Sequence, residues 1–249
     1  MMSRALKKIG AIINSIMHPM GLHVSRYSAD LSSKAELGGM LVRLAKRQID
    51  VRTVIDIGAS DGSWSTKMES VYPKANYLLV EANEVHRQAL ENYVSVRGNA
   101  EFVLAVAGDE PGLIFFDDND PMGGLASHQP LGNSKKSFPC TTVDAEAERR
   151  NLEGPFLLKL DTHGFEVPIL EGAAQVLKST NLLVIEVYNF NLTGETLRFW
   201  EMCEYLEKLG FRPIDMLDPM FRPKDGVFWQ FDIVFARSSR DEFLSNTYL

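Results

Sequence analysis

The chain has 249 residues, 45% of them hydrophobic and 24% charged, which is ample for a sizeable globular core and excludes a low-complexity or fully disordered protein. Its net charge of −7 is uneven, residues 1–52 carrying +6 and the remainder −13; the acidic body argues against a nucleic-acid channel, while the basic head suits anionic lipid or a partner. Two cysteines without metal-ligand spacing, Cys140 and Cys203, are expected to be reduced buried thiols in a cytoplasmic protein.

In chain order, Leu6, Ile9, Ile13, Ile16 and Met17 recur at helical spacing beside Arg4, Lys7 and Lys8. This predicts an amphipathic helix that either packs on the domain or touches a membrane surface peripherally. The run is too short to span a bilayer and lacks a small-residue cleavage site for export. His18-Pro19-Met20-Gly21 breaks it. A second helix is expected over 33–48, with Leu37, Met40, Leu41 and Leu44 on one face. The expected organisation is a helical basic extension over 1–52, one domain over 53–240 and a polar tail over 241–249.

The stretch TVIDIGASDG, Thr53 to Gly62, reads as a buried strand entering a glycine-marked turn. Val54, Ile55 and Ile57 suit a strand covered on both faces, and ligands of open α/β sheets bind just outside such carboxyl ends. A dinucleotide fingerprint would need glycines where Ser60 and Ser63 stand. The pattern Asp56-x-Gly58-x-x-x-Gly62 instead matches the looser first motif of S-adenosylmethionine binders. Here Asp56, Gly58, Ala59, Asp61 and Gly62 are candidates to hold the methionine part, whose ammonium an acidic group attracts directly or through water. Ser63 is expected to cap a helix to about Tyr72. The strand NYLLVEAN then brings Glu81 to its end, one βαβ unit on, where a carboxylate can accept both ribose hydroxyls; Ala82 adjoins it.

After a helix over 84–96, the strand EFVLAVAG ends in Ala107, Gly108 and Asp109. Small residues there let an adenine ring lie close to the backbone, and either an adenine amino group or a turn explains Asp109. Residues 109–139 hold a short strand, Leu113 to Phe116, and a turn-rich segment too long for a plain connector. It is read as a lid or acceptor-binding loop, with His128 in it a solvated histidine. Phe138 to Thr142 is a further strand, and a charged helix begins at Asp144.

The second focus is GPFLLKLDTHGFEVPILEGA, residues 154–173. Lys159, Asp161 and His163 fall at the carboxyl end of a buried strand, where each needs a partner or water. A helix with Pro168 in its first turn follows. The strand LLVIEVY ends in Glu186 and Tyr188, facing the same cleft. Asp161, His163 and Glu186 can approach one another, although their spacing demands no metal and none is assigned. Thr193 to Leu209 is amphipathic, with Trp200 placed on its apolar face, and strands at 211–216 and 227–236 close the chain.

VIDIGASDGSWS, LLVEAN, TTVD, LLKLDTHGFEVPILEGA and LLVIEV together resemble the FkbM-type methyltransferase family over about residues 53–190. Lys159, Asp161, Gly164, Glu166, Leu170, Gly172 and Ala173 fall on its last motif, and His163 departs from the usual Glu. The resemblance implies the α/β, doubly wound class I methyltransferase fold: a mostly parallel seven-stranded sheet, order 3-2-1-4-5-7-6, last strand antiparallel. It implies an S-adenosylmethionine-dependent O-methyltransferase acting on a hydroxyl of a small-molecule or glycan acceptor. Asp161 then sits beside the transferred methyl. As candidate catalytic residues, His163 is the base with Asp161 orienting it or serving as base, and Lys159 keeps Asp161 ionised. The rival reading is an inactive S-adenosylmethionine-binding relative that serves as a partner-binding module.

Overall fold

The computed structural model describes residues 34–131 and 136–248; the expected basic helix near the N-terminus, its break, and loop residues 132–135 lie outside them. The described elements begin with α1 (Leu37–Arg47), β1 (Thr53–Ile57), α2 (Ser63–Met68), β2 (Asn76–Glu81), α3 (Arg87–Ser95), β3 (Ala100–Leu104) and β4 (Val106–Ala107). Then come β5 (Gly112–Asp117), β6 (Leu125–Ser127), β7 (Ser137–Thr141), α4 (Val143–Arg149), β8 (Phe156–Leu160), α5 (Glu166–Glu171), β9 (Thr180–Tyr188), α6 (Phe199–Lys208), β10 (Phe211–Phe221) and β11 (Phe228–Arg237).

Seven strands form one sheet in the order β10-β11-β9-β8-β1-β2-β3. Pairing is parallel from β3 to β9, and β11 runs antiparallel to both β9 and β10. Counting only the strands of this sheet in chain order, the succession is 3-2-1-4-5-7-6, as expected. A second sheet, β4-β7-β5-β6, was not foreseen. Two of its strands, β5 and β7, fall on the short strands expected at 113–116 and 138–142; β6 comes from the segment read as a loop, and the strand expected to run through Ala107 breaks after Leu104, so that Val106–Ala107 pairs with β7 instead.

Each face of the large sheet is buried, which explains why its strands read as nearly continuous apolar runs. Side chains alternate between faces. Ile55, Ile57, Leu158, Leu160, Ile185 and Phe235 enter one core with α5, α6 and the second sheet. Val54, Leu157, Leu182, Val184 and Val234 enter the other with Met40 and Leu44 of α1. Helix α1 is also tied to β10 by Arg43, whose Nε and Nη2 each lie 2.7 Å from Asp215. Residues 34–52 thus share the core of the domain, although they were assigned to an extension.

Some helix limits differ from expectation for identifiable reasons. Helix α2 is capped by Gly62 in the left-handed region, φ 78°, and not by the Ser63 side chain. Helix α6 starts at Phe199, six residues later than expected, because Thr193 and Thr196 hydroxyls are committed to the preceding turn. Trp200 is 44% exposed, away from the face predicted to bury it.

Candidate active site

At the carboxyl ends of β1, β2 and β8 lies a cavity, closed on one side by the second sheet and residues 121–126. Six predicted residues line it: Gly58, Glu81, Ala82, Ala107, Asp161 and His163.

Asp56 does not reach it. Strand alternation turns this fully buried side chain to the opposite face, opposite Lys159 in register. There Asp56 Oδ2 accepts from Ser65 Oγ at 2.7 Å, and Oδ1 lies 3.2 Å from Lys159 Nζ, an ion contact without hydrogen-bond alignment. Lys159 also meets Asp161 Oδ2 at 3.1 Å and the Gly58 carbonyl at 3.0 Å. Burial opposes the charge on Lys159, but Asp161 and Asp56 outweigh it and raise its pKa. Burial pushes the Asp56 carboxyl above its ordinary value against the pull of Lys159. Lys159 is therefore a buried structural cation beneath the cavity floor, and Asp56 is its partner instead of a ligand contact.

The other predicted positions outside the cavity lining have local explanations. Ala59 packs in the α1-side core. Asp61 Oδ1 accepts the Ser63 N–H at 2.9 Å at the start of α2. A Cβ on Gly62 would meet Tyr93 at 3.1 Å, and one on Gly108 would meet Cys140 Sγ at 2.8 Å. Gly58 is needed for a reason other than ligand approach: at φ 72° its Cβ would stand 2.0 Å from the Asp161 carbonyl oxygen. Asp109 is engaged by His128 Nε2 at 2.9 Å, and His128 Nδ1 contacts Glu195. His128 is thus an exposed histidine that bridges two carboxylates, and Asp109 does not line the cavity.

Glu81 keeps its expected place. It is 7% exposed, and its two oxygens accept the Ser60 and Asn83 N–H groups, each at 2.7 Å. A carboxylate offers about four lone-pair directions, so both oxygens can still accept ribose hydroxyls.

The turn after β8 is built by Glu166. Its Oε1 accepts the Gly164 N–H at 2.9 Å and the Thr162 hydroxyl at 3.1 Å. That fixes His163 at φ 54° and Gly164 at φ 104°, where a Cβ on Gly164 would stand 2.2 Å from Thr196 Oγ1. His163 Nδ1 lies 3.0 Å from Glu186 Oε2 and 2.7 Å from the Tyr188 hydroxyl, while Nε2 lies 3.0 Å from the Met122 carbonyl. Burial works against a charged imidazole, but Glu186 and then Asp161 raise its pKa to about 9. Burial lifts Glu186 to about 8 and Asp232, opposite it in register, to about 7. Asp161 stays below the ordinary carboxylate range because Lys159 overcomes its burial.

This changes the expected division of labour. Glu186 and Tyr188 orient His163, and both imidazole nitrogens are occupied, so Asp161 is the more accessible carboxylate at the cavity wall. Residues that the sequence reading passed over include Ser60, Asn83, Phe116, Met122 and Phe165, all lining the cavity. Asn83 carried a signal, since it caps the 3-10 turn after Glu81 by accepting the Val85 N–H. Met122 carried none, because its placement depends on the folding of the second sheet.

The strand order and a cavity at the carboxyl ends of β1, β2 and β8 define the class I methyltransferase architecture. The model of the methyltransferase FkbM domain matches residues 56–213, more than half of the chain, and the chain belongs to that family. It is a methyltransferase with S-adenosylmethionine as its cofactor. No curated protein matches it in sequence. Solved structures similar to it include precorrin-6y C5,15-methyltransferase from Geobacter metallireducens, 15% identical, TM-score 0.44, covering 80% of this chain and 86% of that one. An rRNA methylase from Streptococcus thermophilus is 12% identical, TM-score 0.44, covering 86% and 99%. Sp1610 of Streptococcus pneumoniae, solved with S-adenosyl-L-methionine, is 13% identical, TM-score 0.43, covering 80% and 72%.

Proposed function

We propose that the protein transfers a methyl group from S-adenosylmethionine to a hydroxyl of a small-molecule or glycan acceptor. The observation that carries this reading is the polarity of the cavity: Glu81 stands at one wall to take a ribose, and Asp161 and His163 stand at the other. Between them the walls are apolar, with Ala107, Phe116 and Phe165 placed to cover a flat base.

Methyl transfer is an in-line displacement in which the sulfonium is already a good leaving group. Alignment of the acceptor oxygen is therefore the main task. As the oxygen–carbon bond forms, the hydroxyl proton becomes strongly acidic, so even a carboxylate held ionised suffices to accept it. Asp161 fits that role: its side chain is 39% exposed toward the cavity and Lys159 keeps it charged. An acidic body and the absence of an amide-clamping Asn/Asp-Pro-Pro-Tyr motif favour a hydroxyl acceptor over a nucleic-acid base. Among the described residues no helix is long and apolar enough to cross a membrane; peripheral contact through the basic N-terminal segment remains part of the proposal.

The test is calorimetric titration with S-adenosylhomocysteine, followed by transfer of labelled methyl from S-adenosylmethionine to a panel of sugars and hydroxylated small molecules. Binding with Asp161-dependent turnover on a hydroxyl supports the reading. Binding without turnover on any acceptor class leaves the partner-binding module as the better account. Turnover on an amine or a nucleobase refutes the acceptor assignment.

A further inference from the structure

We propose that Asp161, His163 and Glu186 bind one divalent cation of the manganese(II) type at the acceptor end of the cavity. One donor atom from each residue lies within 4.8 Å of the others. They come from the ends of neighbouring strands β8 and β9. The His163 Nδ1 to Glu186 Oε2 separation is 3.0 Å. That is the edge of an octahedron whose metal–ligand bonds are about 2.1 Å, the length typical of small divalent cations.

A second observation is independent of the cluster. Each candidate ligand has its other polar atom held from outside. His163 Nε2 is placed to donate to the Met122 carbonyl at 3.0 Å, Asp161 Oδ2 is held by Lys159 at 3.1 Å, and Glu186 Oε1 accepts from Gln230 Nε2. A ring nitrogen donating to a backbone carbonyl and carboxylates held by outer donors are the supporting contacts that orient metal ligands. In the free protein a proton on Nδ1 is shared with Glu186 Oε2 beside the Tyr188 hydroxyl; a bound cation takes the place of that proton, so binding releases it.

The surrounding charge points the same way. Strand alternation sets Asp56, Glu186 and Asp232 on one face of the sheet near its carboxyl end, and Asp161 follows directly, with Lys159 as the lysine among them. One imidazole and two carboxylates make a mixed set: imidazole favours later transition metals, carboxylates favour magnesium and manganese, and manganese(II) accepts both. Asp161 and His163 line the cavity, so open coordination positions face the place of the acceptor. The inference rests on the hydroxyl-methylation reading for the task of the ion, which is to hold the acceptor oxygen and lower its pKa. In that state Asp161 serves as ligand, and the proton of the acceptor hydroxyl, made acidic by the ion, leaves to solvent water.

The experiment uses the full chain after chelator treatment, titrated with manganese(II) and followed by loss of the free-ion paramagnetic resonance signal. The expected result is one equivalent bound, with proton release shown by calorimetry in buffers of different ionisation enthalpy. Glu186→Gln and His163→Gln should each weaken binding at least tenfold. Gln230→Leu, which spares the ligands and guards against a misfolded Glu186 variant, should weaken it about tenfold. Absence of saturable binding below millimolar ion, or binding unchanged in all three variants, overturns the proposal. So does displacement by equimolar magnesium, which would remove the role of the nitrogen donor. Titration of the same sample with S-adenosylhomocysteine separates the two readings: cofactor binding without manganese binding sinks the cation alone, and failure of both sinks the hydroxyl-methylation reading as well.

Discussion

Removing the Lys159 ammonium tests whether this buried cation holds the floor of the cavity. Nζ lies 3.2 Å from Asp56 and 3.1 Å from Asp161. At an effective dielectric constant near 20, each contact corresponds to roughly 5 kcal/mol of gross attraction, most of it offset by desolvation. The net quantity is better gauged by what remains after deletion. In Lys159→Met, Asp56 stays fully buried with Ser65 as its remaining hydrogen-bond partner. Leaving such a charge unpaired costs about 3–5 kcal/mol, a large share of the roughly 5–15 kcal/mol that keeps a domain folded. Asp56→Asn on top of Lys159→Met removes the stranded charge and should recover about 1–3 kcal/mol, the usual coupling of contacting residues. Urea unfolding at neutral pH measures both. The single variant also carries a pH signature. Its Asp56 has a folded pKa above the unfolded value, so protonation stabilises the fold; that stabilisation is complete below the unfolded pKa and is lost as pH rises. The deficit of Lys159→Met should therefore shrink on acidification. A loss below about 1 kcal/mol, or coupling within about 0.5 kcal/mol of zero, would refute the assignment of Lys159 as the structural cation.

Gly58→Ala should destabilise by about 3 kcal/mol, combining about 1–2 for a left-handed residue with about 1–3 for overlap with the Asp161 carbonyl. Gly38→Ala, in α1 with open space around its Cβ, should instead be neutral or gain up to about 1 kcal/mol; equal losses in thermal unfolding would show that the strand contact is not the cause. Glu81→Gln turns an amide nitrogen toward one of two backbone N–H groups, so S-adenosylhomocysteine affinity should fall about 10- to 100-fold; unchanged calorimetric affinity would remove Glu81 from the ribose site. Glu195 and then Asp109 raise the pKa of His128. Its stabilising contribution is therefore complete below about pH 6.5 and fades as pH rises through the higher folded value. His128→Gln should lose stability relative to wild type in acid and converge with it in alkali, as read by melting temperature across that range.

Much of the fold was legible because its signals are local. The apolar runs of β1, β2, β8 and β9, separated by helical periodicities and turn residues, fix a parallel α/β sheet, and the spacing from Gly62 to Glu81 fixes one βαβ unit. The same locality placed Glu81, Asp161 and His163 at strand ends beside one cavity. The turn after β8 is also local, since Glu166 bonds Thr162 and Gly164 within its own segment.

What only the tertiary structure decided depends on groups distant in the chain. The direction in which Asp56 points follows from strand alternation, but its partner Lys159 is brought by pairing of β1 with β8, so a residue that reads as a cofactor ligand is a buried counterion. Gly58 is glycine because a neighbouring strand's carbonyl fills the space of its Cβ, which no spacing within its own turn reveals. The second sheet arises because β5 and β7, each legible as a short strand, pair with each other and with β4 and β6, partners that no local pattern names, and carry Met122 over the cavity. His163 was visible as a histidine at a strand end. Its protonation and its partners Glu186, Tyr188 and the Met122 carbonyl exist only once three separate segments meet, because burial and nearby charge, which set a pKa, are properties of the folded chain.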